Sequence, residues 1–275
     1  MSAQFGGDQY IAGQKEPVID MPTRFVDFMR VLVPMAGDDT TPEGEQVNIY
    51  GNHVGSWNFA ATAYLNQWKV KIYYEHYFDD HSQMFFQYGR WKDGHIGLEI
   101  TFPKNRFIDT FAYEGLGTKD QTGPMLYDSF WGEFEEQISA KDNYYNHYLY
   151  QGWQHWGMGI GNPLLPGPIY NKNGQITFIS NRVLAHHIGF CGSPCQSLSY
   201  RMLLSYSRHW GTYDNPLNEI KKQFNSLFEV TYAPQQLKGW SFTVSGAMDR
   251  GSMLGNNYGG MLVIRKQGII KSGNK

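Results

Sequence analysis

The feature that most constrains this chain is alternation of apolar and polar residues with a period of two. Across 68–78, Trp68, Val70, Ile72 and Tyr74 share one face, and Lys69, Lys71, Tyr73 and Glu75 share the other. Ile96, Leu98, Ile100 and Phe102 alternate with Gly97, Glu99 and Thr101. Leu198, Tyr200, Met202, Leu204 and Tyr206 alternate with Ser199, Arg201, Leu203, Ser205 and Ser207. Weaker runs cover 53–65, 107–115, 175–190, 227–233, 240–249 and 258–268, so nine strands are expected.

The connections alternate too. Short turns fall at 66–67, 103–106, 191–196 and 234–239, and long loops at 79–94, 116–174, 211–225 and 250–257. Tight turns on one side and long loops on the other fit an antiparallel up-and-down transmembrane β-barrel, or the C-terminal part of one, in an outer membrane. The last strand then returns to the periplasmic side. Trp68, Tyr232 and Trp240 stand beside short turns, and Tyr74, Trp210 and Tyr258 near long-loop ends, as two aromatic girdles would. The competing reading is a soluble sandwich whose apolar faces meet in a core. An odd strand count conflicts with the even number of bacterial barrels, and open edges in lipid leave backbone groups unsatisfied. The expectation is therefore that N-terminal strands are missing, come from another chain, or that one lies hidden in the long loop. The start has neither the basic nor the apolar region of a signal peptide.

Composition narrows the partners. A net charge of −2 gives no electrostatic case for nucleic acid. Charged residues are only 17 %, aromatics are 16 % and Gly numbers 31, a balance suited to β proteins with an unusual surface. No apolar run is long enough for a transmembrane helix. The organisation expected is an N-terminal loop and helix segment at 1–47, barrel strands over 48–270 with an aromatic-rich loop at 116–174, and a polar tail at 271–275. Within the first segment, Phe25, Phe28, Met29 and Leu32 predict a short amphipathic helix over 24–33. The acids that follow, Asp38, Asp39, Glu43 and Glu45, lack the spacing of an EF-hand.

Enzyme motifs are missing: no nucleophile elbow, no P-loop, no zinc-protease helix motif. No catalytic residues, metal or cofactor are expected. EHYFDDH at 75–81 concentrates metal-binding types, but alternation sends Glu75 and His76 to opposite faces. His186 and His187 are separated the same way. Glu99 and Glu114, on neighbouring strands, are the pair a soluble polysaccharide-acting enzyme would use. In a barrel they are lumen charges beside Lys69, Lys71 and Arg201. Cys191 and Cys195 frame CGSPC in a turn, where a disulfide is open.

The segment 142–163, DNYYNHYLYQGWQHWGMGIGNP, fits no strand or helix period. Sugars pack C–H faces on aromatic rings and bond hydroxyls to polar side chains. Tyr144, Tyr145, Tyr148, Trp153 and Trp156 would stack a glycan, and Asn146, Gln154 and His155 would bond its hydroxyls. A plug folded into the barrel would use the same rings.

The run NYYNHYLYQGWQHWGMGIGNPLL, with YEHYFDDHSQM, ITFPKN, GTKDQTGP, YRMLLSYSRHWGTY and GAMDRGSMLGNNYGG, resembles the C-terminal half of the capsule assembly Wzi-like outer-membrane proteins, in versions from Bacteroides-type bacteria. The likeness runs over 24–270. It implies a larger β-barrel, no enzyme activity, and a lectin-like role retaining capsular polysaccharide at the cell surface. The alternative function is an outer-membrane channel for sugars or other solutes.

Overall fold

The structure is a computed structural model and describes residues 1–10, 13–47, 49–79, 84, 93–105, 107–121 and 143–268. Short strands β1 (Ser2–Gln4), β2 (Gly7–Gln9) and β3 (Ile19–Met21) lead to helices α1 (Phe25–Leu32) and α2 (Glu43–Val47). Four long strands follow: β4 (Asn52–Leu65), β5 (Trp68–Asp79), β6 (Gly94–Thr101) and β7 (Thr110–Gly117). A small hairpin, β8 (Gln154–His155) and β9 (Met158–Gly159), precedes β10 (Val183–Cys195), β11 (Leu198–Gly211), β12 (Pro216–Tyr232), β13 (Trp240–Gly251) and β14 (Asn257–Lys266).

The nine long strands form an antiparallel meander, and β1 adds a tenth at one edge, giving the order β1-β4-β5-β6-β7-β10-β11-β12-β13-β14. The chain is all-β, and the sheet is not closed. The additional strand lies in the N-terminal segment and pairs with only the first residues of β4, Ser2 opposite Val54 and Gln4 opposite Asn52.

Register sorts the side chains onto two faces across the sheet's width, with irregularities at the strand ends near Gly192–Cys195 and His209–Gly211. Lys71 pairs with Glu99, Gly97 with Glu114, Glu114 with His187, His187 with Ser205, Ser205 with Asn225 and Asn225 with Asp249. All these share the inner face. The outer face carries Phe59, Ile72, Leu98, Ile188, Phe228, Val244 and Leu262, and it is the solvent-exposed one: Ile72 is 55 % and Leu262 65 % exposed. Polar inner residues are the buried ones, with His209 at 3 %. A soluble antiparallel sheet does the reverse. A one-residue slip anywhere would exchange the two sets.

Apolar burial lies at the long-loop end of the sheet. Leu116, Val183 and Ala185 of the strands enclose Leu165 and Phe178 of the long loop. A second cluster joins Met21, Val31, Tyr50 and Leu149. The loop is thereby held over the inner face as a roof.

Several expected boundaries move. The loop expected at 211–225 shrinks to 212–215, because β12 begins at Pro216 opposite Gly211 and, past an irregularity, Lys221 and Lys222 pair with His209 and Arg208. Backbone pairing needs no apolar side chains where a strand projects past its core. The strand expected from 175 begins at Val183, since Phe178 turns into the core and Asn181 donates to Asn143 Oδ1 and Tyr144 O at 2.5 and 2.9 Å. The turn at 103–106 widens to 102–109, held by Asn105 Oδ1 accepting the N–H groups of Phe107 and Ile108 at 2.8 and 2.9 Å. CGSPC is not a turn but the end of β10, with an irregularity between Gly192 and Cys195 and the turn at 196–197. Cys191 and Cys195 are free. The tail 271–275 lies outside the described residues.

Helix α1 forms where expected, with its apolar stripe exposed. Asp27 is fully buried and bonded to Arg24 at 2.9 Å and Arg30 at 3.1 Å, while both arginines also reach Asp38. Phe25 is 78 % exposed, and Phe28, Met29 and Leu32 are also exposed. Val31 O lies 2.9 Å from His53 Nε2, on the outer-face side of β4, so the apolar stripe adjoins the outer apolar band. Of the acids at 38–45, Asp38 belongs to this ion cluster and Glu45 is buried.

Because Phe178 is the largest apolar side chain joining roof to sheet, Phe178→Ala is expected to cost about 3–5 kcal/mol locally. Faster hydrogen exchange and proteolysis within 145–170, with strand amides still protected, would be the readout.

Candidate functional site

The aromatic segment is built in two parts. Its base is internal. Tyr145 adopts φ +70°, and its N–H donates to Asp79 Oδ2 at 2.6 Å. Its hydroxyl accepts the Asn162 N–H at 2.8 Å. Trp153, only 6 % exposed, donates from Nε1 to Asn52 Oδ1 at 3.2 Å. Tyr144 is buried, its hydroxyl 3.4 Å from Asp93 Oδ2. Asn146 clasps Phe178 through N–H and carbonyl, both at 2.8 Å. Of the rings expected to stack a glycan, Tyr144 and Trp153 are therefore supports, removed from solvent by packing that also satisfies their polar atoms.

The tip is the opposite. Trp156 is 84 % exposed between β8 and β9, at φ +54°, with His155 also exposed and Gln154 Oε1 accepting the Gly157 N–H at 2.7 Å. A left-handed tryptophan costs about 1 kcal/mol or more. Here the strain presents a large ring to solvent. Met158, Ile160, Ile169 and Tyr170 are exposed around it, and Tyr148 stands exposed with its hydroxyl on Glu45 Oε1 at 3.2 Å. One loop thus carries a buried base and an exposed tip in succession.

Beneath the roof lies a cavity of about 850 Å³, lined by inner-face residues including Glu75, Tyr77, His95, Glu114, His187 and His209. His95 stands between two carboxylates, Nδ1 3.7 Å from Glu75 Oε2 and Nε2 3.5 Å from Glu114 Oε1. Ser56 donates to Glu75 at 2.6 Å, and the Tyr73 hydroxyl donates to Glu114. Gly97 makes that reach feasible, because a Cβ there would stand 2.0 Å from the Tyr73 ring. His187 bonds Ser205 at 2.6 Å, while His186 faces outward against the Tyr113 hydroxyl at 2.8 Å.

The remaining expected inner charges lie on the same face. Lys69 pairs with Glu99 at 3.9 Å, Arg201 with Glu229 at 3.3 Å, and Lys71 stands 5.1 Å over the Tyr73 ring. Glu99 therefore joins Lys69, not Glu114. Glu75 and His76 occupy opposite faces, as alternation requires. Asp80 and His81 of the same motif lie outside the described residues, among which no group of three or more His, Cys, Asp or Glu can hold a metal. His95 and His209 were not singled out by sequence. His95 precedes the alternating run by one residue, so extending the period backward would have placed it inside.

A second buried polar pair ties the loop to α2. Glu45 Oε2 accepts the Gly51 N–H at 2.6 Å, and His147 Nε2 lies 3.8 Å from Glu45 Oε1. Burial pushes the Glu45 carboxyl up to about 7, opposed in part by the Gly51 N–H and Tyr148 hydroxyl. Burial pulls His147 down to about 4, helped by nearby His53.

No family model, curated protein or solved structure matches the chain.

The two titrations oppose each other. Glu45, raised on folding, contributes stability below its ordinary 4.5 that is lost as pH rises through about 7. His147, lowered on folding, contributes stability above its ordinary 6.5 that is lost as pH falls through about 4. Glu45→Gln removes only the first loss. Its stability relative to the parent should rise between pH 5 and pH 8, by on the order of 2–3 kcal/mol if fully expressed. Unfolding midpoints across that range are the measurement, and a pH-independent difference refutes the assignment.

Proposed function

We propose that the chain forms strands of an outer-membrane β-barrel that retains capsular polysaccharide at the cell surface. One observation carries the membrane part: the sheet exposes its apolar face and buries its polar one, an arrangement that water disfavours and a hydrocarbon surround favours. Side chains at the outer rims agree with it. Trp68, Tyr232 and Trp240 are exposed at the short-turn end and Tyr258 at the long-loop end, where rings with polar tips sit at membrane interfaces. The outward stripe of α1 adds apolar surface of the kind that lies in an interface.

The polysaccharide part rests on the resemblance of the quoted segments and on the loop tip. Trp156, His155 and Tyr148 form the stacking surface. Gln154, Tyr145 and Asn146 hold the hairpin in place, and Tyr144 and Trp153 anchor it. Without an enzyme motif, retention is the reading, and no catalytic residue is assigned. A solute channel is the second reading, favoured by the polar cavity under the roof.

Native outer membranes are expected to contain the protein in a form whose gel mobility changes on boiling, as closed barrels do. Soluble protein without the change refutes the membrane reading. Trp156→Ala with Tyr148→Ala is expected to cut capsule retention at least fivefold at unchanged barrel content, from about 1–3 kcal/mol per stacked ring. Trp153→Ala should instead loosen the loop toward protease. Unchanged retention with exposed rings removed refutes the platform, and increased conductance on deleting the loop supports the channel.

A further inference from the structure

The cavity under the roof has chemistry of its own. Among the described residues, three carboxylates line it, Glu75, Asp79 and Glu114, with Met1 at its edge and no Lys or Arg side chain. Inner-face bases outside it have partners of their own: Lys69 and Arg201 toward the short turns each pair with an acid, and Lys221, opposite His209, pairs with Glu219. The cavity beneath the aromatic hairpin is left with an acidic lining.

Asp79 is engaged by the Tyr145 N–H, which leaves Glu75 and Glu114 as the acids facing the open space on either side of His95. Each already accepts one hydroxyl, Glu75 from Ser56 and Glu114 from Tyr73, and an acidic lining in a restricted space favours a cation that brings several N–H donors. The far side of the cavity offers hydroxyl-sized partners. Ser205, Ser207 and Asn225 line it, together with His209. His209 is almost wholly buried, and its Nε2 bonds Ser207 at 2.9 Å. Its Nδ1 has no hydrogen-bond partner among the described residues. A buried ring nitrogen without a partner is costly unless something else fills the position. Tyr77 and Tyr145 add ring faces to the same space.

We infer that this cavity binds an amino sugar carrying a free amine: Glu75 and Glu114 take the ammonium, His209 and the serine hydroxyls take ring hydroxyls, and the tyrosines pack its apolar face. The inference deepens the polysaccharide reading, on which its polymer source rests. It adds a site separate from the exposed hairpin and a preference for positive over negative sugars. A single unit could come from a polymer end or from a free solute, and the two sources differ in the length that binds best.

The test uses the full chain folded in detergent, with calorimetric titration of the glucosamine tetramer, its fully N-acetylated counterpart, glucosamine itself and a glucuronate tetramer. The free-amine tetramer is expected to bind at least ten times more tightly than the acetylated one, and the glucuronate tetramer not measurably. Glu75→Gln with Glu114→Gln should erase the amine preference, and His209→Phe should weaken both neutral and amine sugars. Tetramer binding well above monomer assigns a polymer, and equal binding assigns a solute. Comparison of the two tetramers needs no variant, so a misfolded double mutant leaves it intact. Equal affinity for free and acetylated amines, preference for glucuronate, or no binding of any sugar overturns the inference. Trp156→Ala should leave this discrimination intact. Lost capsule retention in that variant would bear on the hairpin, and lost boiling-dependent mobility on the barrel, so the failures are distinguishable.

Discussion

Everything in this chain depends on a register that keeps the two faces in step through the body of the sheet, with irregularities confined to strand ends at Gly192–Cys195 and His209–Gly211. From β4 to β14 each long strand offers alternate residues to the inner face, and each neighbour continues the choice. Main-chain hydrogen bonds set that register but cannot tell the faces apart. The side chains do so. Inner acids find tyrosine, histidine, serine or a cross-strand base, and outer positions hold side chains that need no partner. Shifting one strand by a residue would bury aromatic rings against carboxylates and strand the acids outside. The cost would recur at each strand pair, which is why one arrangement prevails.

The roof depends on this sheet without sharing its logic. It carries almost no regular structure, so its backbone groups must be satisfied by particular side chains. Asp79, Asn146 and Asn181 do so at Tyr145, Phe178 and Tyr144, backbone turns within the loop satisfy others, and Asn52 holds the Trp153 indole, so strand is linked to loop and loop to loop. Packing of Phe178 and Leu165 against Val183 and Ala185 completes the hold. A loop held this firmly can keep a tryptophan in a strained conformation at its tip. The strain is local, and the anchoring contacts are many.

How legible this was depended on whether the signal was periodic. The strands and the inner charges Lys69, Lys71, Glu99, Glu114 and Arg201 followed from alternation alone, because a strand's two faces are fixed by parity. The Glu75 and His76 separation followed for the same reason. Boundaries were less legible at 175–182 and 216–222, where irregular residues alternate by accident and strand residues do not alternate at all. Which rings of 142–163 point inward could not be read, since a loop has no parity. Trp153 and Trp156 are three residues apart in one motif and end on opposite sides of the surface. For α1 the periodicity gave the stripe; which face is buried is not periodic information, and the buried side holds the ion cluster around Asp27.

Strand β1 carries a consequence for assembly. It runs antiparallel to β4, and eight further antiparallel steps lead from β4 to β14, nine in all. The two edge strands of the sheet therefore point in opposite directions. Edges so related can meet directly as an antiparallel pair, or be bridged by two, four or any even number of strands in the same alternation. An odd insertion would force a parallel contact somewhere around the circumference. The three residues of β1 thus set a parity rule that any closed form of this sheet has to obey, whichever chain supplies the strands.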